Sequence, residues 1–141
     1  MANPGPASTQ TIHPSVLASN QALRLLAVFP AVNVNVLGDT VLPINNTTNY
    51  SVFQVIFTNA STSLTTAAAG VFTLPSAAGT AIVANAALSA LTGPTVVSQR
   101  TVASTAIQAG QNLYLNVATA QGAAATMDVY VYGYDFSTYS Q

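Results

Sequence analysis

The sequence predicts an all-β fold: an antiparallel β-sandwich, jelly-roll-like, with about eight strands and at most one short helix. Short runs of β-branched and aromatic residues recur along the 141-residue chain, and such runs favour strands. Gly, Pro, Asn and Ser separate most of the runs, as they do in sandwich proteins. A chain of this length suits one domain, so we predict an extended N-terminal arm over residues 1–20 and a single β-sandwich domain over residues 21–141.

The predicted arm contains three prolines among small polar residues, Pro4, Pro6 and Pro14, and this composition favours extended or irregular backbone over helix. Two interpretations stay open: a disordered tail, or a strap that becomes ordered on a partner. The arm also holds the single histidine of the sequence, His13. A lone histidine in such a segment is more typical of a surface residue than of a metal ligand or a catalytic base.

Three strands are predicted in the first part of the domain. Residues 22–29 read ALRLLAVF and end at Pro30, and their length and composition favour a strand. Residues 32–36 alternate valine with asparagine, which is the period of a half-buried strand. Residues 40–44 contain Pro43, and a proline confines this third strand to a sheet edge or a strand end.

The run Tyr50 to Thr58, YSVFQVIFT, predicts a central strand because both of its faces are apolar. Strict alternation places Phe53, Val55 and Phe57 on one face and Val52, Gln54 and Ile56 on the other.

The middle of the chain predicts two further strands, a helix and a third strand. Residues 69–76 form a strand stopped by a proline, and residues 81–83 form a short one. Residues 85–91, NAALSAL, begin with an asparagine cap and are followed by Gly and Pro, so one or two helical turns are expected. Residues 95–104 then return to strand composition.

The end of the domain predicts an antiparallel hairpin. Residues 112–119, NLYLNVAT, and residues 126–136, TMDVYVYGYDF, are strand-like, and AQGAAA is the short connection between them. Side chains alternate along the second strand, which predicts an aliphatic face of Met127, Val129, Val131 and Gly133 and an opposite face of Asp128, Tyr130, Tyr132 and Tyr134.

The three tyrosines of this strand are candidate interface residues. Tyrosine is enriched where proteins meet because its ring is apolar and its hydroxyl can stay hydrogen-bonded. We therefore predict an interface at Tyr130, Tyr132 and Tyr134, with Val52 and Ile56 of the central strand as further contact residues. An ordinary sandwich strand with a tyrosine-rich outer face is the competing interpretation. Strands that are apolar on both faces also predict self-association, with a homodimer favoured over a homotrimer.

The charge content points to an assembly subunit. The chain has two arginines, three aspartates and no lysine or glutamate, a net charge of −1, and a mean hydropathy of +0.46. A standard interface takes about 800 Å² from each partner. Because so few charges are spread over the whole surface, areas of this size could lack a charge, and whole interfaces could form without desolvating one. Two arginines cannot supply the phosphate contacts of nucleic-acid binding, which is therefore not expected.

Catalysis, cofactors and metal ions are not expected. A Ser-His-Asp site would have to use His13 in the arm, and neither a G-x-S-x-G turn nor a phosphate-binding glycine loop occurs. Asp128 and Asp135 are an odd number of positions apart, so on one strand they face opposite sides and cannot form a glycosidase pair. No cysteine is present for thiol chemistry. Neither a signal peptide nor an apolar membrane-spanning stretch is seen, so no membrane partner is expected.

The stretch Ala109 to Phe136, AGQNLYLNVATAQGAAATMDVYVYGYDF, resembles the endings of small virion proteins of tailed bacteriophages, especially capsid cement or decoration proteins. It is most similar to jelly-roll cement proteins of the kind found in a Bordetella phage. The resemblance implies a protein without an active site that is made in the host cytoplasm and sits on the outer capsid surface of the virion. There it would bind the major capsid protein, bridge neighbouring subunits and stabilise the shell.

Two other functions remain as alternatives. A receptor-binding or carbohydrate-binding module of a tail fibre or adhesin would use exposed tyrosines to stack on sugar rings. An ice-binding surface is suggested more weakly by abundant Ala and Thr, but the sequence has no regular Thr-x-Thr ladder.

Overall fold

A computed structural model of the protein describes residues 23–44 and 49–136. These residues form eight strands in two four-stranded sheets and contain no helix. The predicted antiparallel β-sandwich of about eight strands is therefore confirmed, whereas the predicted arm of residues 1–20 lies outside the described residues. The strands are β1 (Arg24–Asn33), β2 (Gly38–Pro43), β3 (Tyr50–Thr58), β4 (Ala68–Leu74), β5 (Ala78–Ala87), β6 (Val97–Arg100), β7 (Asn112–Thr119) and β8 (Thr126–Asp135).

The pairing of the strands is that of a jelly roll. Sheet I has the order β1-β8-β3-β6 and sheet II the order β2-β7-β4-β5, and all neighbours are antiparallel. The first strand thus pairs with the last, the second with the seventh, the third with the sixth and the fourth with the fifth. The chain behaves as one long hairpin that closes at the β4–β5 turn and is rolled into two facing sheets, as in jelly-roll proteins.

The core lies between the two sheets and is mainly aliphatic. Alternate residues of β8 point into it, so Met127, Val129 and Val131 are fully buried while the residues between them are half-exposed. This confirms the alternation predicted for the last strand. Sheet II contributes the same pattern from β7, where Leu113, Leu115 and Val117 are buried. Burial of this kind is the main stabilising term of such a domain.

The predicted hairpin between the last two strands is wrong. β7 pairs with β2 and β4 in sheet II, whereas β8 pairs with β1 and β3 in sheet I. The connection between them therefore crosses from one sheet to the other, with Gly122 at a φ of 84°. Each of the two strands finds its partners far away in the sequence, and the apolar inner faces of both are buried against each other.

The first strand continues through Pro30 instead of ending there. β1 is an edge strand of sheet I, where a proline can be accommodated, and its register to β8 shifts between Phe29 and Val32. Ala31 lies in this bulge with a left-handed φ of 54°, and the carboxylate of Asp128 accepts a hydrogen bond from its backbone N–H at 2.8 Å. The separate strand predicted over residues 32–36 is therefore absent, because residues 32–33 complete β1 and a bend follows.

A bulge in β3 changes the faces that strict alternation predicts. The register of β3 to β8 shifts between Val52 and Gln54, so Val52 points into the core while Phe53 is half-exposed on the outer side. Val55 and Phe57 are buried, as expected for one face. The central position predicted for this strand is confirmed, since β3 lies between β8 and β6. The edge position predicted from Pro43 is confirmed too, because β2 borders sheet II.

The short helix predicted over residues 85–91 does not form. Ala86 and Ala87 belong to β5 and pair with β4, and a turn follows in which Leu91 N–H donates to Leu88 O at 2.8 Å. Leu88 and Leu91 are fully buried in the core. Sheet pairing and the burial of two leucines thus outweigh the local helix propensity of the segment.

Candidate interaction surface

The outer face of sheet I carries the predicted interface tyrosines in ordered cross-strand rows. Tyr130 on β8 lies beside Val28 of β1 and Ile56 of β3, and Ile56 lies beside Gln99 of β6. The next row joins Leu25, Tyr132 and Gln54. Directly paired residues of antiparallel strands point to the same side of the sheet. We call the set Leu25, Val28, Phe53, Gln54, Ile56, Tyr130, Tyr132, Tyr134 and Phe136 the tyrosine face.

One end of the tyrosine face is an aromatic cluster. The ring of Tyr134 meets Phe53 edge-on at a centroid distance of 5.7 Å, and it lies 6.5 Å from the ring of Phe136. Phe53 is 52% exposed and Phe136 is 50% exposed. Phe53 reaches this cluster because the β3 bulge turns it outward. Edge-on aromatic pairs hold their rings in defined orientations, so the cluster presents a stiff apolar surface to solvent.

The face combines apolar area with hydrogen-bonding groups. Leu25 is 36% exposed and Val28 is 41% exposed, while the tyrosines and Ile56 are half-buried against one another. Each tyrosine hydroxyl is both a donor and an acceptor, and Gln54 adds an amide. Such a surface can bury rings and methyl groups against a partner while its hydroxyls stay paired.

All three aspartates of the chain are engaged by the fold. Asp135 is fully buried and pairs with Arg24 at 3.0 Å. Asp39 accepts hydrogen bonds from the backbone N–H of Ser76 at 2.7 Å and from the amide of Asn116 at 2.9 Å. The Ser76 bond holds the β4–β5 turn, in which Ser76 has a left-handed φ of 60°.

The third aspartate stands at the end of the tyrosine face opposite the aromatic cluster. Beside its bond to Ala31, the carboxylate of Asp128 accepts a hydrogen bond from the side-chain amide of Asn59 at 3.0 Å. Ala31 and Asn59 both have left-handed backbone, with φ of 54° and 52°. Asp128 therefore stabilises two unfavourable backbone conformations at once. None of the nine residues that make up the tyrosine face is ionised.

Four of the five predicted interface residues lie together. Tyr130, Tyr132, Tyr134 and Ile56 share the tyrosine face. Val52 does not: its side chain is fully buried in the core, because the bulge after it reverses the alternation, so it cannot contact a partner of the folded sandwich. Sequence reasoning missed Leu25, Val28, Phe53 and Phe136. For Leu25 and Val28 a signal was available, because residues 22–29 are apolar at positions that face both sides of a strand.

Tyr50 is a tyrosine of a different kind. It is fully buried at the start of β3, and its hydroxyl donates to the carbonyl of Gly110 at 2.9 Å. Burial raises the pKa of Tyr50 to about 12, because the phenolate would lose its hydration. The residue fastens the segment before β7 to sheet I and has a structural role.

A separate cleft opens where the free edges of the two sheets meet, between β5 and β6. Its volume is about 320 Å³, and it is lined by Val83, Ala84, Ala86, Gln99, Arg100, Thr101 and Ala103. Arg100 is the charged residue in this lining, and its guanidinium carbon stands 5.5 Å from the centroid of the Phe57 ring.

Within residues 23–44 and 49–136, no three His, Cys, Asp or Glu side chains come close enough to hold a metal ion. The same residues include no helix that is long and apolar enough to cross a membrane.

Comparison with protein-family models, with curated proteins and with solved structures finds no match to this chain.

Proposed function

We propose that this protein is a structural virion protein that binds the outside of a phage capsid and cements neighbouring major capsid subunits, which stabilises the shell. The observation that carries the proposal is the tyrosine face: a broad aromatic and aliphatic surface on a chain whose aspartates are all engaged by the fold. The similarity of residues 109–136 to phage cement proteins supports the same assignment.

The size of the face fits part of a lattice contact. Four strands about 4.8 Å apart and about eight residues long cover roughly 500 Å², whereas a standard interface takes about 800 Å² from each partner. Flanking segments would supply the remainder. Residues 1–20 precede Leu23 in the sequence, and Leu23, the residue just before β1, is 45% exposed. We propose that this arm adds to the capsid contact.

Binding of this kind is mainly apolar and backbone-polar. Exposed ion pairs contribute only about 0–1 kcal/mol each, and the face contains no ionised residue, since Asp128 lies just beyond its far end. We expect the affinity for capsids to change less than about threefold between low and high salt, because screening weakens exposed charge contacts and little else. Self-association, with a homodimer favoured over a homotrimer, is a further part of the proposal, since the same face is suited to a second copy.

The test is to add the purified protein to capsids assembled without it and to measure the copies bound and the heat resistance of the shell. The informative variant is Tyr132→Arg, which places a charge at the centre of the tyrosine face. Tyr114→Arg is the matched control, because Tyr114 occupies the equivalent outer position on β7, an interior strand of sheet II. We expect Tyr132→Arg to lower occupancy at least tenfold, since a charge in an apolar interface loses its hydration.

The expected result also includes full occupancy for Tyr114→Arg and equal unfolding temperatures for both variants. Deletion of residues 1–20 should lower occupancy while the sandwich stays folded, because it leaves the described strands intact. Equal occupancy of Tyr132→Arg and Tyr114→Arg would show that the tyrosine face is not the contact. Absence of any binding to capsids would contradict the cement function itself.

A carbohydrate-binding or receptor-binding module of a tail fibre or adhesin is the second candidate. It is favoured by the alignment of Tyr130, Tyr132 and Tyr134 along one strand, because exposed rings can stack on sugars. Copy number separates the two functions: a cement protein should be present at hundreds of copies per particle and a fibre module at tens. Binding to a glycan array that Tyr132→Ser abolishes would favour the second function.

A further inference from the structure

The cleft between β5 and β6 combines a free strand edge with a cation, Arg100, that has no anionic partner among residues 23–44 and 49–136. β5 ends sheet II and β6 ends sheet I, so no strand of the described residues pairs with the outer side of either one. The chain itself covers part of this edge, because Ala103 N–H donates to the carbonyl of Ile82 at 2.7 Å. Further along β5, Ala84 and Ala86 line the open part of the cleft with small side chains.

Arg100 is held in the wall of this cleft by weak neutral contacts. One terminal nitrogen donates to the carbonyl of Ala87 at 3.3 Å, and the guanidinium lies over the ring of Phe57. Its Nε is buried and, in the described part of the chain, has no hydrogen-bond acceptor. Burial lowers the pKa of Arg100, because the protonated guanidinium has lost part of its hydration. An arginine in this state gains from an added anion.

The chain's own side chains do not offer that anion. Asp39 is bound to Ser76 and Asn116, Asp128 to Ala31 and Asn59, and Asp135 to Arg24. The sequence contains no glutamate and no further aspartate. Because the three aspartates are engaged within the fold, we take the carboxylate side chain that reaches Arg100 from a different protein.

We propose that the β5–β6 cleft binds an extended peptide segment of another protein, and that one carboxylate side chain of this segment pairs with Arg100. The free edge of β5 supplies backbone hydrogen bonds to the segment, as in other cases of strand addition. The volume of about 320 Å³ and the alanine lining suit one acidic side chain flanked by small ones. Apart from Gln99, the cleft and the rows of the tyrosine face use different residues, so this binding does not depend on the proposed capsid function.

The experiment is an NMR titration of the ¹⁵N-labelled full chain with a capped peptide of the sequence threonine-alanine-glutamate-alanine-threonine. The matched control peptide carries glutamine in place of glutamate. We expect the glutamate peptide to shift the Nε–H signal of Arg100 and the amide signals of Ala84 and Ala86. We also expect it to bind roughly tenfold or more tightly than the glutamine peptide, which is the size of one charge-assisted hydrogen bond.

Two protein variants and one small anion complete the test. Arg100→Met keeps an unbranched apolar side chain near Phe57 and should bind both peptides equally, whereas Arg100→Lys should keep part of the preference for glutamate. Sodium acetate should bind more weakly than the glutamate peptide, because it gains nothing from the β5 edge. Equal binding of the two peptides by the unmodified protein, shifts confined to other residues, or no binding at about 10 mM peptide would each overturn the proposal. If acetate binds as tightly as the peptide, the cleft is a site for small anions, and the proposal of peptide recognition is refuted.

Discussion

Replacement of Gly133 by alanine should destabilise the protein more than any other single methyl group added to β8. Gly133 lies between Tyr132 and Tyr134 and points into the sandwich where the β3 backbone bulges past it. A Cβ atom built there would overlap the backbone oxygen of Ser51 and would stand 2.7 Å from Cδ1 of Leu26. The Leu26 side chain can rotate, but the Ser51 oxygen is fixed in an interior strand. The strand pair itself would have to separate.

The expected cost follows from this geometry. Overpacking of a core by one methyl group costs about 1–3 kcal/mol, and the upper end applies where backbone rather than a side chain must move. A loss of about 3 kcal/mol corresponds to a fall of roughly 10 °C in Tm for a domain of this size. The shift should also separate the rings of Phe53 and Tyr134, which are now 5.7 Å apart, because both flank the displaced backbone.

Urea unfolding followed by tyrosine fluorescence measures the effect. Gly93→Ala is the matched control, because no atom lies within 4 Å of a Cβ at that position and its backbone is not left-handed. That control should change the free energy of unfolding by less than about 1 kcal/mol, in the stabilising direction, since alanine restricts the unfolded chain. If Gly133→Ala unfolds within 0.5 kcal/mol of the control, roughly the error of the assay, the close approach of β3 to β8 described here is incorrect.

Two further predictions concern Tyr50 and Asp128. The pKa of Tyr50 is about 12 in the folded protein, whereas its ordinary value is 10.0. The contribution of the neutral Tyr50 side chain to the free energy of unfolding is therefore complete below pH 10 and is lost as the pH rises towards 12. Urea unfolding from pH 8 to 11.5 should show this fall. Tyr50→Phe should lower the free energy of unfolding by about 1 kcal/mol at pH 8, and the free energy of unfolding of this variant should fall less steeply as the pH rises. Asp128→Ala should cost about 1.5 kcal/mol, because two charge-assisted hydrogen bonds to left-handed segments are lost. Asp128→Asn keeps an acceptor for the Ala31 N–H and should cost less than half as much, so equal unfolding curves for the two variants would contradict this role.

Local patterns in the sequence predict much of the sandwich. The alternation along β8 identified the buried and outer residues correctly, because the bulges in its two pairings lie on β1 and β3 and β8 itself keeps a regular pleat. Pro43 identified an edge strand for a reason that is equally local: it cannot donate to a neighbour. The tyrosine face was only partly accessible from the sequence, since three of its nine members lie on that one strand.

Features that depend on pairing between distant strands could not be predicted from the sequence. The link between β7 and β8 contains a glycine and has the length of a hairpin loop, but nothing in residues 112–136 says that each strand will join a different sheet. Likewise, the bulge that buries Val52 and exposes Phe53 arises where β3 passes Gly133, which is eighty positions further along the chain. Strict alternation therefore assigned Val52 to the wrong side.

The first-with-last pairing of the strands has a consequence for the order in which the protein can fold. β8 is the last of the eight strands to be synthesised, yet it occupies the interior of sheet I, and Arg24 contacts Asp135 across 111 positions. Until β8 is available, β1 has no partner and β3 lacks one of its two neighbours. Folding must therefore wait until nearly the whole chain is available. Long loops must close, with a loss of chain entropy, before the native contacts that offset this loss can form. The protein therefore belongs to the slow-folding topologies, which fold in milliseconds to seconds.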